Sequence, residues 1–311
     1  MTGKALNSLI KPPLLIVSHD AGGAEVLAAW CRVYLDMHHA HFCIAGPALS
    51  RFQPWLNPTN QIALAQLDLR QYDTVLTSTS SAEVTLERSV IQQAQAYPCT
   101  VISFIDHWTN YLERFTVNDR YYFPNYIVTS DAYAEKQMHQ LLANTKSRLA
   151  APNAPRPAIL REPNEYLIQQ QQRITAIENS LGFTPDAPQR ILYVTEPAEH
   201  DVSALAAFLA DLPQLVQVTQ GKSYQLCIRL HPKENPEKYR HLFTHASSNI
   251  AFSSGTTLAE DIAWAQIVVG MQTMAMVVAL AAQRQVFSSL PAEVERSQLP
   301  QVGIRRLWCG T

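Results

Sequence analysis

The chain has 311 residues, 47% of them hydrophobic and 16% charged, with a formal net charge of -2. That length suits one large domain or two of about 150 residues each, and the apolar fraction excludes general disorder. The near-neutral balance, with no dense Lys/Arg run, argues against a nucleic-acid binder that works by broad phosphate neutralisation.

The five cysteines, Cys31, Cys43, Cys99, Cys227 and Cys309, are far apart and form no C-x-x-C pair. Four lie in apolar runs, where Cys acts as a small core residue, so neither a disulfide nor a zinc framework is expected. Lys4 and Lys11 flank a short mixed segment before Pro12-Pro13, without the apolar core or cleavage pattern of a signal peptide. No apolar run reaches the roughly 18 residues of a membrane span. The expectation is a reduced, cytoplasmic protein.

The first element is an apolar run, Leu14 to Val17, that ends at Ser18-His19-Asp20-Ala21-Gly22-Gly23-Ala24-Glu25. A helical pattern from Val26 to Tyr34 follows, giving strand, glycine-bearing turn and helix. Gly22 and Gly23 allow close backbone approach, and a helix N-terminus offers N–H groups to an anion. The same glycines also serve a tight turn, and the pattern is not G-x-G-x-x-G. His19, Asp20 and Glu25 are more ionisable groups than a turn needs.

His41 to Ala45 reads as the next strand, and Arg51 to Asn60 as a loop or short helix around Pro54, Trp55 and Pro58. Asp73 to Leu76 is a strand ending in Thr77-Ser78-Thr79-Ser80-Ser81. A helix is expected from Ala82 to Ala96, with Glu83 in its first turn. Hydroxyl-rich strand ends suit a sugar or phosphate, and they also cap helices. Thr100 to Ile105 ends in Asp106-His107-Trp108-Thr109-Asn110-Tyr111, a polar cluster that needs partners if buried. Tyr126 to Val128 precedes Thr129-Ser130-Asp131 and a helix from Ala132 to about Leu142. This alternation predicts a parallel sheet covered on both faces.

Ala150 to Pro163 carries four prolines and is the expected domain boundary. Glu165 to Leu181 reads as a polar, solvated linking helix, with Gly182 as its stop. Alternation then restarts. Strands are expected at Arg190 to Val194, Tyr224 to Leu230, Ile250 to Phe252, Ile267 to Val269, and at Val286 and Phe287, which close the sheet. Helices are expected at Val202 to Leu212, Pro236 to Phe243, Thr257 to Ala265 and Gln272 to Ala282. The halves repeat an architecture and not a sequence.

In open parallel sheets the ligand crevice lies past the carboxyl ends of the strands. The first half places His19, Asp20, Gly22, Gly23, Ser78, Thr79, Asp106, His107 and Asp131 there. The second half places Glu196, His231, Lys233, Ser253, Ser254, Gln272 and Thr273 there, and Arg229 flanks His231 in alternating phase, open to either face. Two sheets with their carboxyl edges facing each other would bring both sets to one cleft. The N–H groups around Gln272, Thr273 and Met274 suit a phosphate, although Gln272-Thr273 also reads as a plain helix cap. His231-Pro232 also reads as a turn. Asp20, His19, Asp106 and His107 are then the candidates for general base, with Asp20 and His19 favoured because the glycine turn would hold them rigidly. These devices need no cation, so no metal and no cofactor are expected.

On these residues the chain resembles the GT-B superfamily of glycosyltransferases, which includes UDP-GlcNAc 2-epimerases. RLHPKE, ending at Glu234, looks like the His-Pro motif of bacterial sialyltransferases and Kdo transferases, which implies a nucleotide contact by His231. SSGTTLAEDIAWAQIVVGMQTMAMVVALAAQRQVFSSLP, which includes Gly255, looks like the donor-binding run of surface-polysaccharide enzymes, which implies that Gln272 and Thr273 hold the donor phosphate. The acidic-acidic-Gly motif of sialyltransferases is absent. The resemblance implies an α/β fold of two Rossmann-like parallel-sheet domains facing across a cleft. Residues 1–155 would form the acceptor and catalytic domain, 156–184 the linker and helix, and 185–311 the nucleotide-sugar domain. The implied activity is metal-independent sugar transfer from a nucleotide-sugar donor to a carbohydrate or lipid-linked acceptor, a place compatible with peripheral membrane contact. Epimerisation or hydrolysis of a nucleotide sugar, or nucleotide binding without catalysis, are the alternatives.

Overall fold

The computed structural model describes residues 4–80, 86–145, 149, 156–181, 187–243, 249–254, 257–294 and 297–308. Of the residues named above, Ser81, Ala82, Glu83, Gly182, Gly255 and Cys309 lie outside them, as do residues 150–155 of the proline run. The chain divides into two compact units, Met1–Tyr166 and Leu167–Thr311.

In unit 1, β1 (Leu14–Ser18) leads into α1 (Ala21–Tyr34), and β2 (His41–Ile44) and β3 (Thr74–Thr77) follow. Then come α2 (Leu86–Ala94), β4 (Thr100–Phe104) and a short hairpin of β5 (Thr116–Val117) and β6 (Arg120–Tyr121). β7 (Tyr126–Thr129), α3 (Ala132–Ala143) and β8 (Ala158–Arg161) complete the unit. The sheet order is β2-β1-β3-β4-β7-β8, all parallel. Every residue of β1 and β3 is buried. Alternate side chains point to opposite faces, so both faces are covered, which is what the unbroken apolar runs require. Trp30 and Leu27 of α1 pack with Ile16, Phe42, Leu76 and Phe104.

α4 (Glu165–Leu181) carries the division between the units, just after Tyr166. It is not merely solvated: Arg284 donates from both terminal nitrogens to Glu178, at 2.8 and 2.7 Å. Unit 2 continues with β9 (Gln189–Val194), α5 (Asp201–Asp211), β10 (Tyr224–Arg229) and β11 (Ile250–Phe252). It ends with α6 (Leu258–Trp264), β12 (Ile267–Gly270), α7 (Met274–Ala281), β13 (Gln285–Ser288) and β14 (Ile304–Arg306). The sheet order is β11-β10-β9-β12-β13-β14, again all parallel. The Rossmann order 3-2-1-4-5-6 belongs to this unit alone, because unit 1 runs 2-1-3-4-5-6.

Four expectations change. The proline run contains a strand, because Ala158–Arg161 is free of proline and pairs with β7. β13 does not close the second sheet, since β14 adds to it. Pro236–Phe243 winds as a 3-10 helix and not an α-helix. α1 begins at Ala21, so Gly22 and Gly23 form its first turn and not a loop before it. They are there for room: a Cβ on Gly22 would lie 2.6 Å from Asp106 Oδ2, and one on Gly23 would lie 2.7 Å from the Thr79 carbonyl. Among the described residues, no helix is long and apolar enough to cross a membrane.

Gly270 ends β12 where it passes the end of β9. A Cβ there would sit 2.9 Å from the Val194 carbonyl oxygen and 2.8 Å from its Cγ2. The contact is partly backbone and cannot rotate away. Gly270→Ala is expected to cost about 1–3 kcal/mol as overpacking, read as a lower urea midpoint at unchanged slope.

Candidate functional site

The order of each sheet reverses at one place, and helices then leave the two neighbouring strands in opposite directions and open a crevice between them. In unit 1 the reversal lies between β1 and β3, and in unit 2 between β9 and β12.

In unit 1, β1 ends at His19-Asp20. Asp20 occupies the N-cap position of α1 in extended backbone, yet its side chain makes no capping bond. The carboxylate therefore sits at a positive helix end with its oxygens uncommitted to the cap. The His19 ring lies over Gly46, whose φ is +57° and where a Cβ would come within 2.5 Å of Nε2. Only glycine fits that seat. His19 Nδ1 is buried without a hydrogen-bond partner. The His19 backbone N–H donates to Glu87 Oε1 at 2.8 Å, and Ser78 Oγ donates to the same oxygen at 2.9 Å. Glu87 is 1% exposed, so a buried carboxylate braces the turn from beneath.

Asp106 comes close to Gly22, but it is already paired. Arg114 Nη1 reaches Asp106 Oδ1 at 2.6 Å and also donates to Thr79 Oγ1 at 2.9 Å. Arg114 is 3% exposed, so this buried cation offsets the Asp106 charge. His107 shares a hydrogen bond with Thr109 Oγ1 at 3.1 Å. Burial pushes its pKa down, against the opposing pull of Asp106. Asp131 is occupied twice, accepting from Ala134 N–H as the cap of α3 and from Trp108 Nε1 at 2.7 Å. The candidates of unit 1 are therefore unequal. Asp20 and His19 keep atoms available, whereas Asp106 and Asp131 hold the edge together.

In unit 2, the strand ends of β9 and β10 are tied to one another. Thr195 Oγ1 accepts from His231 N–H at 3.0 Å and itself donates to Glu234 Oε2. Lys233 N–H donates to His231 Nδ1 at 3.2 Å. A ring nitrogen that accepts cannot carry a proton, so His231 is held with the proton on Nε2. Burial likewise pushes its pKa down. Lys233 itself is exposed.

Glu196 stands at the β9–β12 reversal and accepts from Gln272 N–H at 3.2 Å. Burial, with the nearby Glu234 and Asp201 carboxylates adding to it, pushes its pKa up to about 7 against the pull of that N–H. Gln272 is thereby engaged at both ends, because its Oε1 accepts from Gln298 N–H at 3.0 Å. α7 starts two residues later than the sequence pattern implies. Thr273 is its N-cap, and the side chain makes no capping bond.

Arg229 and Ser253 do not join this group. Arg229 Nη1 pairs with Asp261 Oδ2 at 2.6 Å, and Ser253 Oγ donates to the same oxygen at 2.8 Å. Ser253 and Ser254 border a separate cavity of about 540 Å³, whose walls include Cys227, Phe252 and Trp264 but not His231, Glu196 or Gln272.

Glu87, Arg114 and Thr195 were not singled out by sequence, and Glu234 only as part of a motif. Glu234 carries a usable signal, since a carboxylate three residues after His231 can reach back to the His231 N–H. Glu87 and Arg114 carry none, because their partners are far away in sequence.

No family model matches the sequence, and neither does any curated protein sequence. Solved structures do match in fold. UDP-GlcNAc 2-epimerase from Neisseria meningitidis, solved with UDP-GlcNAc, aligns over 92% of this chain and 84% of its own, with a TM-score of 0.60 at 12% identity. A putative UDP-N-acetylglucosamine 2-epimerase from Listeria monocytogenes aligns over 88% and 78%, with a TM-score of 0.59 at 10% identity. The UDP-GlcNAc 2-epimerase of Methanocaldococcus jannaschii, in complex with UDP-GlcNAc and UDP, aligns over 92% and 85%, with a TM-score of 0.55 at 10% identity. The chain has a GT-B-like fold.

The raised Glu196 pKa sets the sign of a pH effect. Its folded value of about 7 lies above the unfolded 4.5, so the folded state holds the proton more tightly. The stability this group contributes is full below the unfolded value and is lost as pH rises through the folded one. Melting temperature is expected to fall more steeply between pH 5 and pH 8 in the wild type than in Glu196→Gln, in a thermal series run side by side.

Proposed function

We propose that the protein is an enzyme acting on a nucleotide sugar, and that it transfers the sugar to a carbohydrate or lipid-linked acceptor. The observation that carries this reading is the β9–β12 reversal of unit 2. There Glu196, the uncapped start of α7 at Thr273 and, from the end of β10, the fixed Nε2–H of His231 are distributed around the carboxyl edge of a Rossmann-order sheet. Neutral N–H donors and a helix N-terminus suit a phosphate without a metal ion. The exposed Lys233 adds a cation beside His231. The structural neighbours solved with UDP-GlcNAc or UDP support the substrate class.

In this reading unit 2 holds the donor, and unit 1 supplies the base from Asp20 or His19. Asp106 is less suited, because Arg114 already neutralises it. The base takes the proton from an acceptor hydroxyl, and the acceptor oxygen bonds to the anomeric carbon. The bond from that carbon to the phosphate oxygen breaks, and the nucleotide leaves with its electron pair. Donors aimed at the departing phosphate stabilise the charge that develops on it. A second reading, epimerisation or hydrolysis of a nucleotide sugar, is favoured by one observation: the three structures aligned above are 2-epimerases by name.

The test is a panel of UDP, CMP, GDP and dTDP sugars with and without acceptor glycans. One donor is expected to raise the melting temperature, to lose that effect in His231→Ala, and to release nucleotide only when an acceptor is present. Release in water alone, or interconversion of the sugar, favours the second reading. Stabilisation by no nucleotide contradicts both.

A further inference from the structure

Between the two strand ends of unit 2 lies a set of side chains with no direct place in that chemistry. Glu234 is the centre of it, with only 2% of its side chain exposed. One oxygen, Oε2, accepts from the Thr195 hydroxyl and from His231 N–H, the latter at 3.3 Å. The other, Oε1, accepts from Tyr239 OH at 2.6 Å and from Lys238 Nζ at 3.2 Å. Lys238 also reaches the buried Asp201 at the start of α5. Tyr239 is fully buried, so its hydroxyl offers a fixed donor. One carboxylate thus links the end of β9, the His231 turn and the 3-10 segment.

We propose that Glu234 is the positioning residue of His231, holding the turn in which Lys233 N–H meets Nδ1 so that Nε2–H is presented as a neutral donor. The argument is geometric. Lys233 N–H can reach the ring only while His231 N–H is drawn inward, and the inward acceptors are Thr195 Oγ1 and Glu234 Oε2. Glu234 N–H donates in turn to the His231 carbonyl at 2.9 Å, which closes the turn. Without the carboxylate, Tyr239 and Lys238 keep only Asp201 as an acceptor, the His231 turn loses its link to them, and the ring can exchange tautomers. The functional consequence rests on the reading of His231 as a donor-site residue. The positioning itself does not.

The experiment is long-range proton–nitrogen NMR of the imidazoles in the full chain, with His231 assigned from His231→Ala. Wild type is expected to show His231 as a single Nε2–H tautomer at neutral pH. Glu234→Gln keeps the shape but replaces half of the acceptor with a donor, and should give averaged tautomers. The affinity of whichever nucleotide stabilises the wild type should fall on the order of tenfold, the worth of about one hydrogen bond to a charged group. Thr195→Val removes only the hydroxyl link and should move His231 the same way, which keeps the test sound if Glu234→Gln does not fold. Asp201→Asn breaks the far end of the same network. It should lower the melting temperature while leaving the tautomer and the affinity unchanged. An unchanged tautomer in Glu234→Gln or Thr195→Val overturns the inference, as does an equal change in Asp201→Asn. If no nucleotide binds the wild type, the donor-site reading fails, and the NMR result still decides the role of Glu234.

Discussion

A parallel sheet buried on both faces leaves one place for polar chemistry, the carboxyl ends of its strands, and in this chain that constraint acts twice. The runs of β1, β3 and β12 are buried without alternation and carry no charged side chain, and the hydroxyls of Ser18, Thr74 and Thr77 within them are each hydrogen-bonded. Most of the candidate site residues fall in the few positions after each strand, although Glu87 sits in α2 and Arg229 in β10. The sheet order then decides which of those ends have open space beside them. His19-Asp20 and Thr195-Glu196 follow the first strand of their own unit, and each first strand borders the reversal.

The two edges settle their charges differently. Unit 1 neutralises Asp106 with a buried Arg114, spends Asp131 on a cap and an indole, and keeps Glu87 beneath the His19 turn. What remains available is small: the Asp20 carboxylate and one ring nitrogen of His19. Unit 2 gathers three carboxylates, Glu196, Asp201 and Glu234, and Lys238 pairs with the last two. That group of acids adds to the burial that raises Glu196, against the pull of the Gln272 N–H. It also makes Glu234 a rigid acceptor with its hydrogen bonds satisfied on both oxygens, a well-satisfied buried network of the kind that fixes a unique geometry.

The strands were legible in the sequence because a buried parallel strand is a short, unbroken apolar run, and most of those runs are bounded by polar clusters. Glu165–Leu181 was legible to the residue. β8 was not, since prolines on both sides mask four extended residues, and β14 was not, since IRR has no apolar run and pairs only with the far edge of the sheet. The strand orders could not be read at all, because pairing depends on partners chosen across the chain. At the sites, local signals were readable: His231 with its Pro and Lys, and the glycines beside Asp20. What escaped were partners at long separation, such as Glu87 under His19 and Arg114 against Thr79, whose positions in helix and loop look like ordinary surface charge until the chain is folded.

The central claim is that unit 2 holds the nucleotide at the β9–β12 reversal. Hydrogen–deuterium exchange with and without saturating nucleotide tests it most directly. Slowed exchange concentrated at residues 194–196, 231–234 and 271–276 is the result the account predicts. Slowed exchange confined to unit 1, or to the wall of the separate cavity at residues 225–227 and 251–254, would contradict it.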